Sequence, residues 1–138
     1  MNSENGLPIF KIIASDKFTR TAKSLKKGYK SKRSEQEFVD CVAGIVGSLT
    51  QNPRPDSSRL EPLPKGVDIS DWEFRKLMFE LPGRSGASGE GRLMYLLNYD
   101  ECLIKLVWIY THEEFKGRPP EKDLKQMLQE LLEEQDNA

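Results

Sequence analysis

Two long apolar segments separated by only two residues constrain the fold of this chain more than any other feature of its sequence. Residues 92–99 (RLMYLLNY) are almost continuously apolar, which is typical of a central strand covered on both faces. Residues 102–112 have the same character, interrupted by Lys105. The intervening Asp100-Glu101 is short enough for a hairpin turn. The sequence therefore predicts an antiparallel strand pair at the centre of a sheet.

The segments around this hairpin predict an α+β fold. Their apolar residues recur either at helical spacing or in short β-branched and aromatic runs. These patterns predict strands over 8–14 and 72–81, and helices over 17–33, 34–51 and 119–138. A capping box formed by Ser34 and Glu37 is expected to begin the second helix. We therefore predict a small antiparallel sheet in β-α-α-β-β-β-α order, with the helices packed on one face.

The length of 138 residues suits a single domain. We assign residues 1–118 to one α+β domain and residues 119–138 to an acidic C-terminal helix of the same domain. Four prolines make residues 52–70 a connector that is expected to be irregular. The acidic helix suggests a further hypothesis, in which it folds over basic surface and competes with nucleic acid.

Several functional classes are not expected for this composition. One histidine, His112, and two distant cysteines, Cys41 and Cys102, predict neither a metal site nor a disulfide framework, and no cofactor is expected. The polar residues 1–5 do not resemble a signal peptide, and the apolar stretch 106–110 is far shorter than a membrane span. We therefore expect a soluble cytoplasmic protein with no membrane partner.

A short pattern in the second half of the chain resembles a known family. A glycine-rich loop leads into an Arg-Leu-x-Tyr strand at residues 86–95 (GASGEGRLMY), and an aliphatic strand closes in an aromatic residue and a histidine at residues 106–112 (LVWIYTH). With the element order, this pattern resembles the RelE/ParE toxin superfamily, best over residues 72–118. The resemblance implies either of two activities. RelE-like members cleave messenger RNA on the ribosome without a metal, whereas ParE-like members inhibit DNA gyrase without such an active site.

The resemblance also implies a partner and a set of catalytic residues. A small antitoxin that wraps the toxin is expected to neutralise it. Arg92 lies where the family places a catalytic arginine, and a permanently charged guanidinium can bind two phosphate oxygens at once. His112 is the only side chain with an ordinary pKa near neutrality, which suits proton transfer. The hairpin predicts that these two residues are neighbours, and Tyr110 shares the strand face of His112.

Other readings of these residues stay open. Arg92 is also consistent with a surface arginine at a strand edge, and a lone histidine is often structural. The alternative to a nuclease is a non-catalytic protein-interaction module on the same fold. A third hypothesis is that the chain has the fold of the family but has lost its toxicity.

The residues expected to bind RNA share a positive charge. Those on the first helix form a dense basic face, for which ordinary solvation is the alternative. Only one of the adjacent residues Arg75 and Lys76 can face the site, and we favour Arg75. Arg84 lies in the Gly/Ser loop, whose alternative role is that of a flexible linker. The expected RNA-binding set is Lys23, Lys26, Lys27, Lys30, Arg75, Arg84, Lys116 and Arg118.

Overall fold

The computed structural model describes residues 7–134, which form eight main helices and strands. Their bounds are β1 (Lys11–Ala14), α1 (Asp16–Lys27), α2 (Lys32–Gln51), β2 (Ser58–Leu60), β3 (Glu73–Glu80), β4 (Glu90–Asn98), β5 (Leu103–Thr111) and α3 (Glu121–Glu134). A short 3-10 helix at Gly86–Gly89 precedes β4. The α+β class and the seven predicted elements are therefore confirmed, and β2 is an eighth.

The five strands form one mixed sheet in the order β1-β5-β4-β3-β2. The pairs β2–β3, β3–β4 and β4–β5 are antiparallel, which confirms the prediction for the three strands β3, β4 and β5. Strand β1 lies parallel to β5, with Lys11 opposite Leu103, so the sheet is not wholly antiparallel. The expectation that residues 52–70 are irregular is wrong at β2, because Ser58 to Leu60 pair with β3. The backbone hydrogen bonds of this pairing come from another segment, so the local sequence pattern does not reveal them.

Helices cover both faces of the sheet, which corrects the prediction of helices on one face. Helices α1 and α2 pack Phe18, Phe38 and Leu49 against the face that includes Leu93. Helix α3 packs its leucines against the opposite face, which includes Met94. The reason lies in β4, because its nearly continuous apolar run must be covered on both sides.

The basic segment predicted as one helix over 17–33 is divided between two helices. Helix α1 ends at Lys27, where the backbone N–H of Gly28 donates to the Leu25 carbonyl. Helix α2 begins with a reciprocal capping box between Ser31 and Ser34, rather than with the predicted Ser34–Glu37 pair. The break therefore leaves Lys30 between the helices.

Helix α1 closes the edge of β5 that β1 leaves open. Strand β1 ends at Ala14, opposite Leu106, so the second half of β5 has no strand on this side. The Ser15 hydroxyl donates to the Val107 carbonyl at 3.1 Å, and the backbone N–H of Ile109 donates to Thr21 Oγ1 at 3.3 Å. Side chains of α1 thus satisfy backbone groups that would otherwise form an exposed sheet edge.

Two negative findings apply to residues 7–134. No helix there is both long and apolar enough to cross a membrane. No group of three or more His, Cys, Asp or Glu side chains in that range could hold a metal ion.

We predict that Ser15→Ala costs more free energy of unfolding than Ser31→Ala. Ser15 is buried, and its hydroxyl both accepts from the Phe18 N–H and donates to the Val107 carbonyl. Its loss should cost about 2 kcal/mol, against about 1 kcal/mol for the exposed cap Ser31. Urea unfolding of both variants measures the difference, and equal losses would contradict the role assigned to Ser15.

Candidate functional site

Two of the three predicted catalytic residues lie directly opposite each other. Arg92 on β4 pairs with Tyr110 on β5. Cross-strand partners project from the same face of a sheet, and this face is the one that α3 covers. Tyr110 is fully buried, whereas Arg92 is half-exposed and donates from Nη1 to the Gly91 carbonyl, at 3.1 Å. Among residues 7–134, no carboxylate forms an ion pair with the guanidinium of Arg92.

The Tyr110 hydroxyl is buried and has no hydrogen-bond partner among the described residues. Phe115 packs edge-on against its ring, with centroids 5.7 Å apart. Burial raises the pKa of Tyr110 far above its ordinary value. The negative charge of Glu61 raises that pKa further, and the positive charges of Arg92 and Arg118 oppose the shift. The phenol is therefore a neutral donor surrounded by charged side chains.

Lys76 and Glu61 join this site. The sequence left Lys76 as the alternative to the favoured Arg75, and it gave no indication of Glu61. Lys76 pairs with Met94 in the sheet, so its side chain shares the face of Arg92 and Tyr110. Lys76 Nζ lies 3.4 Å from Glu61 Oε1, and Arg118 Nη1 lies 3.6 Å from the same oxygen. We call Lys76, Arg92 and Arg118 the cationic cluster. It holds one buried carboxylate, that of Glu61.

Arg75, which we favoured over Lys76, faces the other side of the sheet. It pairs with Tyr95, and its Nε donates to Ser58 Oγ at 2.9 Å. Its Nη1 forms an ion pair with Glu73 at 2.8 Å. The prediction failed because the alternation rule admits either of two adjacent residues, and only the register with β4 decides between them.

His112 lies at the same end of the hairpin as Arg92. Its backbone N–H donates to the Glu90 carbonyl at 2.9 Å, which extends the β4–β5 pairing by one residue and places the half-buried His112 on the α3 side. Within residues 7–134, no side-chain hydrogen bond or ion pair joins His112 to Arg92 or Tyr110. The proximity of His112 to the site thus rests on strand register.

Arg84 lies outside the cationic cluster. Its Nη2 donates to the Leu25 carbonyl at 3.2 Å, and its guanidinium stacks over the Tyr29 ring, 4.7 Å from the centroid. A cation at this position complements the negative end of the α1 dipole. The structure therefore engages Arg84 in helix capping, on the face covered by α1 and α2.

The lysines expected to bind RNA lie apart from the cationic cluster. Lys23, Lys27, Lys30 and Lys116 are exposed, and Lys26 is half-buried. No ion pair or side-chain hydrogen bond links any of them to the cluster in the described part of the chain. Lys23 and Lys26 instead line an open apolar groove between α1 and α2. Of the expected RNA-binding set, only Arg118 belongs to the cationic cluster.

Acidic residues of α3 face the basic start of α1. Lys17 and Arg20 line a cavity of about 250 Å³ together with Asp123 and Glu130. Lys17 Nζ also lies over the Trp108 ring, 4.2 Å from its centroid. This arrangement places acidic side chains of the C-terminal helix against basic side chains of α1, as the acidic-helix hypothesis requires. The final residues of that segment, 135–138, lie outside the described residues.

Comparison with known proteins finds similarity only among solved structures. No protein-family model and no curated protein matches the chain. The archaeal RelE–RelB complex from Pyrococcus horikoshii OT3 contains a chain with 14% sequence identity and a TM-score of 0.46. The alignment covers 80% of this chain and 99% of that one. A mutant of the E. coli toxin RelE in the free state has 10% identity and a TM-score of 0.47, with 85% and 94% covered.

We predict different effects on the free energy of unfolding when each of two buried tyrosines on the central strands is replaced by phenylalanine. Tyr95 donates to the Pro53 carbonyl at 2.7 Å and contacts Ser58 Oγ at 2.7 Å, whereas the Tyr110 hydroxyl has no partner in the described chain. Tyr95→Phe should therefore lower the free energy of unfolding by about 2 kcal/mol, and Tyr110→Phe should leave it unchanged or raise it. Urea unfolding at neutral pH tests both, and a loss on Tyr110→Phe as large as that on Tyr95→Phe would contradict this account.

Proposed function

We propose that the chain is a RelE-like toxin, a metal-independent endoribonuclease that cleaves messenger RNA and binds its phosphate at the cationic cluster. One observation carries this proposal. In the described part of the chain, a buried phenol with an unpartnered hydroxyl lies opposite an arginine that pairs with no carboxylate. Lys76 and Arg118 add positive charge on the same side. Together these groups offer the donors and charges that a phosphodiester requires.

The proposed reaction uses the 2′-hydroxyl of the RNA as its nucleophile. Its oxygen attacks the adjacent phosphorus, the bond to the leaving 5′-oxygen breaks, and a 2′,3′-cyclic phosphate forms. Arg92 stabilises the negative charge that develops on the phosphoryl oxygens. Tyr110 donates its hydroxyl proton in a hydrogen bond to one of them, because its raised pKa keeps the phenol neutral. His112 either removes the proton of the 2′-hydroxyl or protonates the leaving 5′-oxygen, and water takes up or supplies the other proton.

The partners follow from the same proposal. The substrate is messenger RNA, and cleavage takes place on the ribosome in the cytoplasm, where the lysines of α1 contact ribosomal RNA through phosphates. A small antitoxin neutralises the protein. It binds in the groove between α1 and α2, which measures about 460 Å³ and is almost wholly apolar, with Lys23 and Lys26 at its side. These features suit an amphipathic segment with acidic flanks.

The same groove favours a second candidate function, that of a non-catalytic protein-interaction module such as a ParE-like gyrase inhibitor. Val39 is exposed in the groove beside Phe18, Val42 and Val46, which is typical of a protein-binding surface. This function needs no chemistry at Arg92 or His112. The two candidates therefore differ in their response to substitutions at the cationic cluster.

We predict that Arg92→Ala lowers the rate of RNA cleavage by about a hundredfold, because it removes a charge that stabilises the transition state. The assay maps cut messenger ends after incubation with translating ribosomes. Lys11 is exposed on β1, opposite Leu103 at the far end of β5 from Tyr110. Lys11→Ala removes the same charge there and should retain the cleavage rate. Equal rates for Arg92→Ala and the unsubstituted protein would exclude the proposed catalytic role.

Growth inhibition on expression separates the two candidate functions. If the protein acts by RNA cleavage, we expect Arg92→Ala and His112→Ala to relieve growth inhibition while the protein still accumulates. If both variants inhibit growth as strongly as the unsubstituted protein and no messenger is cut, the interaction module is the correct assignment.

A further inference from the structure

Glu61 places a buried carboxylate inside the cationic cluster. Only 7% of its side chain is exposed, and one of its oxygens contacts both Lys76 and Arg118. Its charge also acts on the Tyr110 hydroxyl. A carboxylate resembles a phosphate in its charge and in the donors it accepts from. Glu61 thus makes the contacts that an external anion would need.

The carboxylate comes from the proline-rich connector and not from the sheet core. Residues 61–71, which we call the strap, cross the sheet face beside α3, where Val67 and Ile69 pack against the apolar cluster of that face. The strap is attached at its start. The Glu61 N–H donates to the Phe74 carbonyl at 2.8 Å, and Arg118 Nη1 donates to the Pro62 carbonyl at 2.6 Å. The Arg118 side chain therefore contacts the strap at two points, the side chain of Glu61 and the backbone carbonyl of Pro62.

The Tyr110 hydroxyl is closed to solvent in this structure. Tyr110 is 0% exposed and Phe115 packs against its ring, so RNA cannot reach its hydroxyl without a local rearrangement. Two of the three members of the cationic cluster, Lys76 and Arg118, have Glu61 as a counterion, and Arg118 also binds the exposed Glu121. Arg92 is the remaining member, and its only described side-chain bond is to the Gly91 carbonyl. Glu61 is thus the buried carboxylate that an incoming phosphate must replace.

We propose that Glu61 is a built-in competitor of the substrate phosphate, and that the strap holds the proposed RNA site closed until a phosphodiester displaces this carboxylate from Lys76 and Arg118. This inference rests on the proposed function and adds its regulation. Binding of RNA exchanges one anion for another, so the cationic cluster keeps a counterion throughout. Movement of Glu61 opens a path to the Tyr110 hydroxyl, which gains the acceptor that it lacks in the closed site.

The test measures binding of a short oligoribonucleotide with 2′-O-methyl groups, which cannot be cleaved. Glu61→Gln should bind it about tenfold more tightly than the unsubstituted protein, because a buried competing charge is removed. Glu101→Gln, at the exposed turn between β4 and β5, makes the same change in net charge and should alter affinity by less than about twofold. Unchanged or weaker binding by folded Glu61→Gln would overturn the inference, as would a gain for inorganic phosphate with none for the oligonucleotide.

A second measurement uses the unsubstituted protein, so it does not depend on folding of the variant. Saturation with the same oligonucleotide should speed hydrogen exchange of the Glu61 amide, because displacement of the strap loosens its bond to the Phe74 carbonyl. Slower or unchanged exchange of the Glu61 amide on binding would contradict the proposed displacement of the strap.

Arg92→Ala distinguishes failure of this inference from failure of the proposed function. If Arg92→Ala weakens oligonucleotide binding but Glu61→Gln does not strengthen it, the competitor role of Glu61 is wrong and the RNA site stands. If neither substitution changes binding, the cationic cluster is not an RNA site and both proposals fail.

Discussion

The register between β4 and β5 is the constraint on which the rest of the structure depends. It sets Arg92 opposite Tyr110 and Met94 opposite Trp108 on the face under α3. A shift by one residue would exchange the two faces of β4 and bring Leu93 and Tyr95 to this side instead. Because β4 is apolar almost throughout, both of its faces are buried. The Tyr110 phenol is therefore buried beside the charges of Arg92 and Arg118, and its hydroxyl has no hydrogen-bond partner among the described residues.

Local pattern was sufficient to predict the hairpin and the presence of three helices, because both depend on residues close in sequence, although it missed the break between Lys27 and Lys32. It was insufficient wherever the pairing of distant segments determines which way a residue faces or whether a segment forms a strand. The choice between Arg75 and Lys76 needed the register of β3 with β4, which no window of β3 contains. Strand β2 was missed because the prolines on either side of it indicate a loop, whereas its pairing depends on β3. Arg92 and Tyr110 were predicted to lie on neighbouring strands because of a family pattern and a short turn, and the register of β4 with β5 confirms this placement.

Net charge was a poor guide to the site. The chain has a net charge of −1, which does not suggest a nucleic-acid binder, yet three cations gather on one face. Composition could not reveal this arrangement, since Glu61 and the exposed Glu121 both bind Arg118 and balance part of the charge locally. Similarly, acids of α3 lie opposite the bases of α1. Within the cationic cluster, Lys76 and Arg118 have carboxylate partners, and Arg92 has none among the described residues.

The central claim is that the cationic cluster around Tyr110 receives an RNA phosphate. The most direct test is a crystal structure of the protein bound to an uncleavable oligoribonucleotide. The account predicts a phosphate within hydrogen-bond distance of both the Arg92 guanidinium and the Tyr110 hydroxyl, on the face under α3. An oligonucleotide bound only along the lysines of α1, with Tyr110 still buried and its hydroxyl unpartnered, would contradict it.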